Sequence, residues 1–196
     1  MRAMLKDDDI SFLLQHFKGL GAADLAELPA LAQTRVLAAG EVWLAQGSVS
    51  QKLGYIRKGM IRSYRILEED REATVLLRWE DQFIAAIDSL LYAMPSRYIY
   101  AALEETTIIE LNDNAWAIID RNPGLSALRG QLLLLMLGQA MERVESFVLL
   151  SPEKRYLKLL EEKPDIVNRV PDKHLSTYLG ITPVSLSRIR RRLARR

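Results

Sequence analysis

The sequence predicts an α+β protein: an N-terminal antiparallel β-roll of jelly-roll type, a long central helix, and a C-terminal all-α unit built on a helix-turn-helix. Three observations predict it. Between Arg35 and Asn112, roughly eight short apolar segments recur at about 8–12-residue spacing, the texture of a sandwich, barrel or jelly roll. From Leu125 to Leu149 the apolar spacing changes to three and four with no proline to interrupt it. Between Asp172 and Arg196, two short amphipathic segments are joined by Gly180-Ile181-Thr182-Pro183.

Charge divides the chain in the same places. Residues 151–196 hold 12 Lys/Arg and 5 Asp/Glu, a net of +7, whereas residues 1–150 hold 15 and 20, a net of −5. An acidic body with a basic C-terminal unit argues for separate domains, one of which meets a polyanion. The expected division is a roll with N-terminal helices over residues 1–124, a dimerisation helix over 125–150 and a DNA-binding unit over 151–196. There are no cysteines, which excludes disulfides, thiolate metal sites and cysteine nucleophiles, and suits a cytoplasmic protein. Two histidines, His16 and His174, exclude a histidine-rich metal site. Met1 to Ile10 carries Asp7-Asp8-Asp9 in place of an apolar core, so no signal peptide is expected. The longest aliphatic run, Leu132 to Leu137, falls far short of the roughly 18–20 residues of a membrane span.

Taken in order, residues 3–32 read as helical, with Ile10, Phe12, Leu13, Leu14 and Phe17 as an apolar stripe and a second short helix at Asp24 to Leu31. Strands follow on either side of Gly40-Glu41 and close at Gly47. Leu53 to Ile56 and Met60 to Leu67 read as strands joined by a tight hairpin at Lys58-Gly59. Glu68-Glu69-Asp70 is a turn before a strand over Ala73 to Trp79. Asp81 to Leu91 begins as a strand and turns helical. Tyr98 to Glu104 and Thr106 to Asn112 complete the roll. A short helix from Asn114 ends at Asn122-Pro123. The long helix then carries two apolar rows. Leu125, Leu128, Leu132, Leu135 and Gln139 form one; Leu133, Met136, Ala140 and Phe147 form the other. A small roll cannot cover both, so a homodimer is expected, with Leu128, Leu132, Leu135 and Gln139 in the seam. Ser151-Pro152 starts the next helix as N-cap and first turn, and Pro164 stops it.

The C-terminal motif is the most specific. Gly180 suits the position just past a helix end, Thr182 supplies an N-cap oxygen, and Pro183 fits the first helical position. On a wheel of about 100° per residue, Leu186, Ile189 and Leu193 share one side of the second helix. Val184, Arg188, Arg191 and Arg195 share the other, with Ser185 and Arg192 on one flank and Ser187 on the other. Such a cationic, hydrogen-bonding face suits the major groove of double-stranded DNA, with Thr182 and Ser185 near phosphate at the helix start.

Several pieces of the chain, in order, carry a resemblance: Gly40-Glu41 with Gln46-Gly47, Tyr55-Ile56 with Gly59, Asp81-Gln82-Phe83-Ile84, Arg121-Asn122-Pro123, and Tyr178-Leu179-Gly180-Ile181-Thr182 with Leu186-Ser187-Arg188. The chain resembles the Crp/Fnr family of bacterial transcription regulators over nearly its whole length. The resemblance implies a homodimer that binds a near-palindromic DNA site, works with RNA polymerase, and carries a cyclic-nucleotide-binding-like roll. It also marks departures. Relatives that bind cyclic AMP use a Phe-Ile-Gly-Glu-Leu segment, whose Glu takes the ribose hydroxyl, and an Arg-Ser-Ala segment, whose Arg takes the cyclic phosphate. Here Ala86 stands at the carboxylate position, followed by Ile87 and Asp88, and Ser96 or Arg97 stands at the arginine position. Cyclic AMP and cyclic GMP are therefore expected to bind weakly or not at all, and no cofactor is expected beyond an unidentified effector. The sequence runs out at Arg196, so the β-hairpin wing of many relatives is not expected.

Three other readings compete. A cyclic-nucleotide-responsive regulator with a rebuilt pocket keeps the same fold. A cupin-like enzyme would need several metal-ligating histidines, and the segment from Arg35 to Asn112 has none. A protein-interaction adaptor would use the basic tail against acidic protein.

Overall fold

The computed structural model describes residues 31–68, 71–111, 115–123 and 125–195. The helices expected before residue 31, the tip of the turn at Glu69-Asp70, and Asn112 to Asn114 lie outside the described residues.

Eight strands form the roll: β1 (Ala32–Leu37), β2 (Val42–Leu44), β3 (Leu53–Lys58), β4 (Ile61–Ile66), β5 (Glu72–Arg78), β6 (Gln82–Ala85), β7 (Ile99–Ala102) and β8 (Thr106–Leu111). They pair antiparallel into two four-stranded sheets, in the orders β1-β8-β3-β6 and β2-β7-β4-β5. Strand-sequence neighbours often sit in different sheets, which is the jelly-roll arrangement. Leu37, Trp43, Ile56, Ile61, Ile84, Tyr100 and Ile108 fill the space between the sheets. A buried carboxylate is part of this core. Glu110 accepts from Trp43 Nε1 at 2.7 Å and from Gln33 Nε2 at 2.6 Å, which satisfies both of its oxygens.

The hairpin expected at Lys58-Gly59 is not one. β3 pairs with β6 and β8, β4 pairs with β5 and β7, and the segment between them crosses from one sheet to the other. Gly59 has φ +96°, and a Cβ there would stand 2.6 Å from the Glu105 carbonyl oxygen. Close backbone approach explains the glycine, where a two-residue turn had been read. The true hairpin in this region joins β4 to β5.

Seven helices complete the described chain: α1 (Ile87–Tyr92), α2 (Ala115–Ile119), α3 (Ser126–Leu149), α4 (Pro152–Glu162), α5 (Ile166–Arg169), α6 (Asp172–Tyr178) and α7 (Pro183–Leu193). α3 is 24 residues long, about 36 Å at 1.5 Å per residue. No helix among the described residues is long and apolar enough to cross a membrane.

The two apolar rows of α3 do not divide as the spacing suggested. Leu128 and Leu132, expected in the dimer seam, are buried within the chain against Trp116, Ile119, Phe83 and Leu53, and Leu135 packs on the same cluster. Leu132 is 2% exposed whereas Leu134 is 68% exposed. Leu133 and Met136 of the second row also pack on that cluster, and the uncovered row is a third one, Ala127, Gly130, Leu134, Leu137, Met141, Val144 and Val148, again at spacings of three and four. Trp116 decides the matter: α2 lays its indole and Ile119 on the side of α3 that carries Leu128 and Leu132, and that side becomes core.

A third cluster joins the roll to the C-terminal helices. Met60 and Leu77 of the roll are buried together with Tyr156, Leu159, Ile166, Val170, Leu175, Leu186 and Ile189. The C-terminal unit thus completes its core on the outer face of the β2-β7-β4-β5 sheet.

Candidate nucleic-acid interface

The helix-turn-helix forms from local signals. α6 ends at Tyr178 with Leu179 as its C-cap, and Gly180 reverses the chain with φ +69°. A Cβ at Gly180 would lie 2.6 Å from Cε1 of Phe147, so the end of α3 presses on this turn. Thr182 caps α7: its Oγ1 accepts from the Ser185 backbone N–H at 3.1 Å, with Pro183 following in the first turn. α4 starts the same way, with the Ser151 hydroxyl accepting from Lys154 N and Pro152 next in sequence.

α7 separates its side chains as the wheel predicts. Leu186 and Ile189 are buried on the α6 side. Ser176 is fully buried on α6, where a small residue lets the chains approach closely. Val184, Ser187, Arg188, Arg191, Arg192 and Arg195 are exposed, and Arg188, Arg191, Arg192 and Arg195 line one shallow groove. Arg190 stands apart from that stripe. It pairs with Asp172 at 2.8 Å and donates to the Tyr156 hydroxyl at 3.2 Å, tying α7 to α6 and α4. Arg192 is bonded to Glu153, which fixes its position on the flank. The hydroxyls of Thr182 and Ser185 lie 3.0 Å apart at the open end of the helix.

The body holds this unit by charged and polar contacts that periodicity does not reveal. Arg169 donates to Glu80 at 2.6 Å, to Glu104, and to Asp165 at 3.0 Å, while Lys163 reaches Glu80 at 3.0 Å. Burial works to raise the Glu80 pKa, but hydrogen bonds from Arg169, Lys163 and the Gly59 backbone outweigh it and hold the carboxyl at about 2. On the neighbouring strands, Arg62 donates to His174 and to Glu72, and Thr177 donates to Thr74 at 3.0 Å. Glu72 is also held below the usual range, with burial opposing and Arg62 prevailing. α6 therefore lies along β5, presenting His174, Thr177 and Tyr178 to the roll while α7 faces away.

The residues proposed for a ligand do not form an open ionic cradle. Ala86 is buried among the side chains between the sheets. Ile87 begins α1, so the chain does not stay extended, and Asp88 sits in the first turn. Asp88 is spent on Arg97: Nε donates at 2.8 Å and Nη2 at 3.1 Å. Ser96 is buried, and its hydroxyl donates to the Tyr98 carbonyl at 2.8 Å. The acid and the base available to a bound nucleotide are therefore bonded to each other. Gln139, expected in the seam, accepts from Arg78 at 2.9 Å.

No family model and no curated protein matches the sequence. Solved structures do match. FixK2 from Bradyrhizobium japonicum aligns with TM-score 0.70 at 14% identity, over 83% of this chain and 84% of that one. CLP, the c-di-GMP-responsive global regulator of Xanthomonas campestris, aligns with TM-score 0.67 at 12% identity, over 89% and 92%. A transcriptional regulator of the Crp/Fnr family from Thermus thermophilus aligns with TM-score 0.64 at 20% identity, over 83% and 86%. With its two-sheet roll, long helix and helix-turn-helix in that order, the chain has the fold of the Crp/Fnr transcription regulators.

Proposed function

We propose that this protein is a sequence-specific DNA-binding transcription regulator of Crp/Fnr type. The observation that carries the reading is the exposed arginine stripe on α7, on a capped helix that follows a three-residue turn. Arginine reads guanine through two hydrogen bonds in the major groove, and Arg188 is the side chain assigned that role. Thr182 and Ser185 contact phosphate near the helix start, together with backbone N–H groups. Val184 and Ser187 complete the base-facing side. Arg191, Arg192 and Arg195 add charge to the polyanion contact.

The protein acts as a homodimer whose α3 helices pair through Leu134, Leu137, Met141, Val144 and Val148, with Ala127 and Gly130 allowing close approach at the N-terminal end. That row is apolar, uncovered and spaced as a heptad, which supports a two-helix seam. A two-fold dimer presents two α7 helices to half-sites about 34 Å apart, one turn of DNA. Residues 151–196 form the DNA-binding unit, and the roll that precedes α3 is a sensor-type domain that does not depend on cyclic AMP. The mutual Asp88–Arg97 pairing supports that last point, because a nucleotide would first have to break it.

Selection of duplexes from a random pool, followed by titration of the recovered site at several salt concentrations, tests the reading. A near-palindromic site and a log–log salt slope of several units are expected, since each phosphate contact contributes about −0.9. Recovery of no enriched sequence would overturn it.

A further inference from the structure

A second polar site lies where the three parts of the chain meet. A cleft of about 440 Å³ opens between the end of β5, the C-terminal half of α3, and α4 with the end of α6. That volume is in the range of small-molecule sites, about 300–1,000 Å³. Each part contributes one arginine: Arg78 from the roll, Arg143 from the long helix and Arg155 from α4.

No carboxylate among the described residues neutralises them, although Arg143 lies over the Tyr178 ring at 3.8 Å and Arg155 over the Phe147 ring at 4.5 Å. Among the described residues none of the three forms an ion pair. Of the two carboxylates on the cleft wall, Glu162 is engaged by Lys158 at 3.7 Å, and Glu142 forms no ion pair among the described residues. Arg143 and Arg155 do have a structural task. Arg143 donates to the Tyr178 carbonyl at 2.7 Å, and Arg155 donates to the Leu179 carbonyl at 3.0 Å and to the Leu150 carbonyl at 2.7 Å. Capping a helix end in this way offsets a fraction of a charge, because the terminal dipole amounts to roughly half an elementary charge. Arg78 has less. It is 9% exposed, gives Nη2 to Gln139, and its buried Nε has no acceptor. Burial lowers the pKa of both Arg78 and Arg143. Beyond that, Tyr178 acts to raise both, while Arg143 pushes Arg78 down and Arg155 pushes Arg143 down, as like charges in one cleft must.

We infer that this cleft binds a small phosphate ester, its phosphate held by Arg78 and Arg143 with Arg155 and Lys158 adding charge. Guanidinium groups match phosphate oxygens in pairs, and an anion here replaces mutual repulsion with attraction. Trp79 and Leu76 supply aromatic and apolar wall for the rest of the molecule, so a nucleoside monophosphate fits the chemistry. The site is separate from the roll interior where Ala86 lies. A ligand touching Arg78, Arg143 and Arg155 at once favours the docked position of the helix-turn-helix. On the DNA-binding reading proposed above, it therefore shifts DNA affinity.

The test is calorimetric titration of the full chain with inorganic phosphate, ribose 5-phosphate, AMP and adenosine, with DNA binding measured on the same samples. At least one phosphate-bearing probe is expected to bind with a dissociation constant of about 1 mM or tighter, and adenosine is not. Arg78→Met keeps the packing volume and is expected to weaken binding at least tenfold. Arg143→Lys keeps a charge but not the fork and is expected to weaken it severalfold. The second variant carries the test alone if the first does not fold. Absence of binding by all three phosphate probes at about 10 mM would overturn the inference, as would equal binding by both variants. Anion binding without any DNA binding would overturn the regulator reading and leave the cleft assignment standing. DNA binding without anion binding would do the reverse.

Discussion

His174 of α6 lies 2.6 Å from Nη1 of Arg62 on β4, through its Nδ1 atom, and so joins the helix-turn-helix to the roll with a neutral imidazole accepting from a cation. Burial is the main reason the ring stays neutral. The charges of Arg62 and Lys173 add to it, Glu72 opposes, and the pKa is held down at about 4. An unfolded histidine takes up its proton near pH 6.5. Because the folded value is lower, the unfolded state binds the proton first as pH falls. Stability is therefore present in full above about pH 6.5 and is lost as pH falls toward 4, by at most about 3 kcal/mol. Urea midpoints across that window should fall less for His174→Gln than for the parent. Parallel curves for the two proteins would show that His174 is not the titrating group.

Arg169 sets up a second, more acidic dependence. Glu80 is held at about 2, so its contribution is present above about pH 4.5 and is lost between 4.5 and 2. Arg169→Gln leaves Glu80 and Glu104 without the shared guanidinium. It should cost about 1–3 kcal/mol, between the values for exposed and fully buried pairs. Limited proteolysis near Leu150 should speed up in the variant, because the C-terminal unit opens from the sheet more often. An unchanged cleavage rate would place the hold elsewhere.

Leu132 and Leu137 make a contrasting pair on α3. Leu132→Asp buries a charge beside Trp116 and Ile119 and should unfold the protomer, at a cost of several kcal/mol. Leu137→Asp lies on the uncovered row and should leave the protomer folded but monomeric. Sedimentation and circular dichroism on both variants separate the outcomes. A folded dimer of Leu137→Asp would remove the proposed seam.

Arg188 and Arg190 sit two positions apart on α7 with different work to do. Arg188→Ala should lower affinity for the selected site by about 1–3 kcal/mol and relax one base pair per half-site. Arg190→Ala loses Asp172 and the Tyr156 hydroxyl, and should lower the melting temperature with little change in base preference. Specificity profiles from competition binding distinguish the two. A base-preference change in Arg190→Ala alone would reverse the assignment of the helix faces.

Features that depend on a few adjacent residues were legible in the sequence. Thr182-Pro183 and Ser151-Pro152 cap their helices as read, Gly180 takes the left-handed conformation, and the strands fall close to the segments expected. A cap is a bond between residues three apart, and a strand is a local alternation, so each carries its own signature. The β-roll, long helix and helix-turn-helix followed from these local readings in order.

Tertiary structure decided which elements face each other. Lys58-Gly59 has the composition of a hairpin, yet it crosses between sheets because β3 pairs with β6 and β8 far along the chain, while β4 pairs with β5 and β7 in the other sheet. α3 has more than one apolar row at spacings of three and four. A period gives the existence of a stripe, and only the arrival of Trp116 and Ile119 on one side decides which stripe is core. Arg78, Arg143 and Arg155 lie 65 and 12 residues apart in sequence and meet only because α3, α4 and β5 converge. Charges that gather from distant segments leave no periodic trace, since ionic contact requires proximity in space and sets no spacing along the chain.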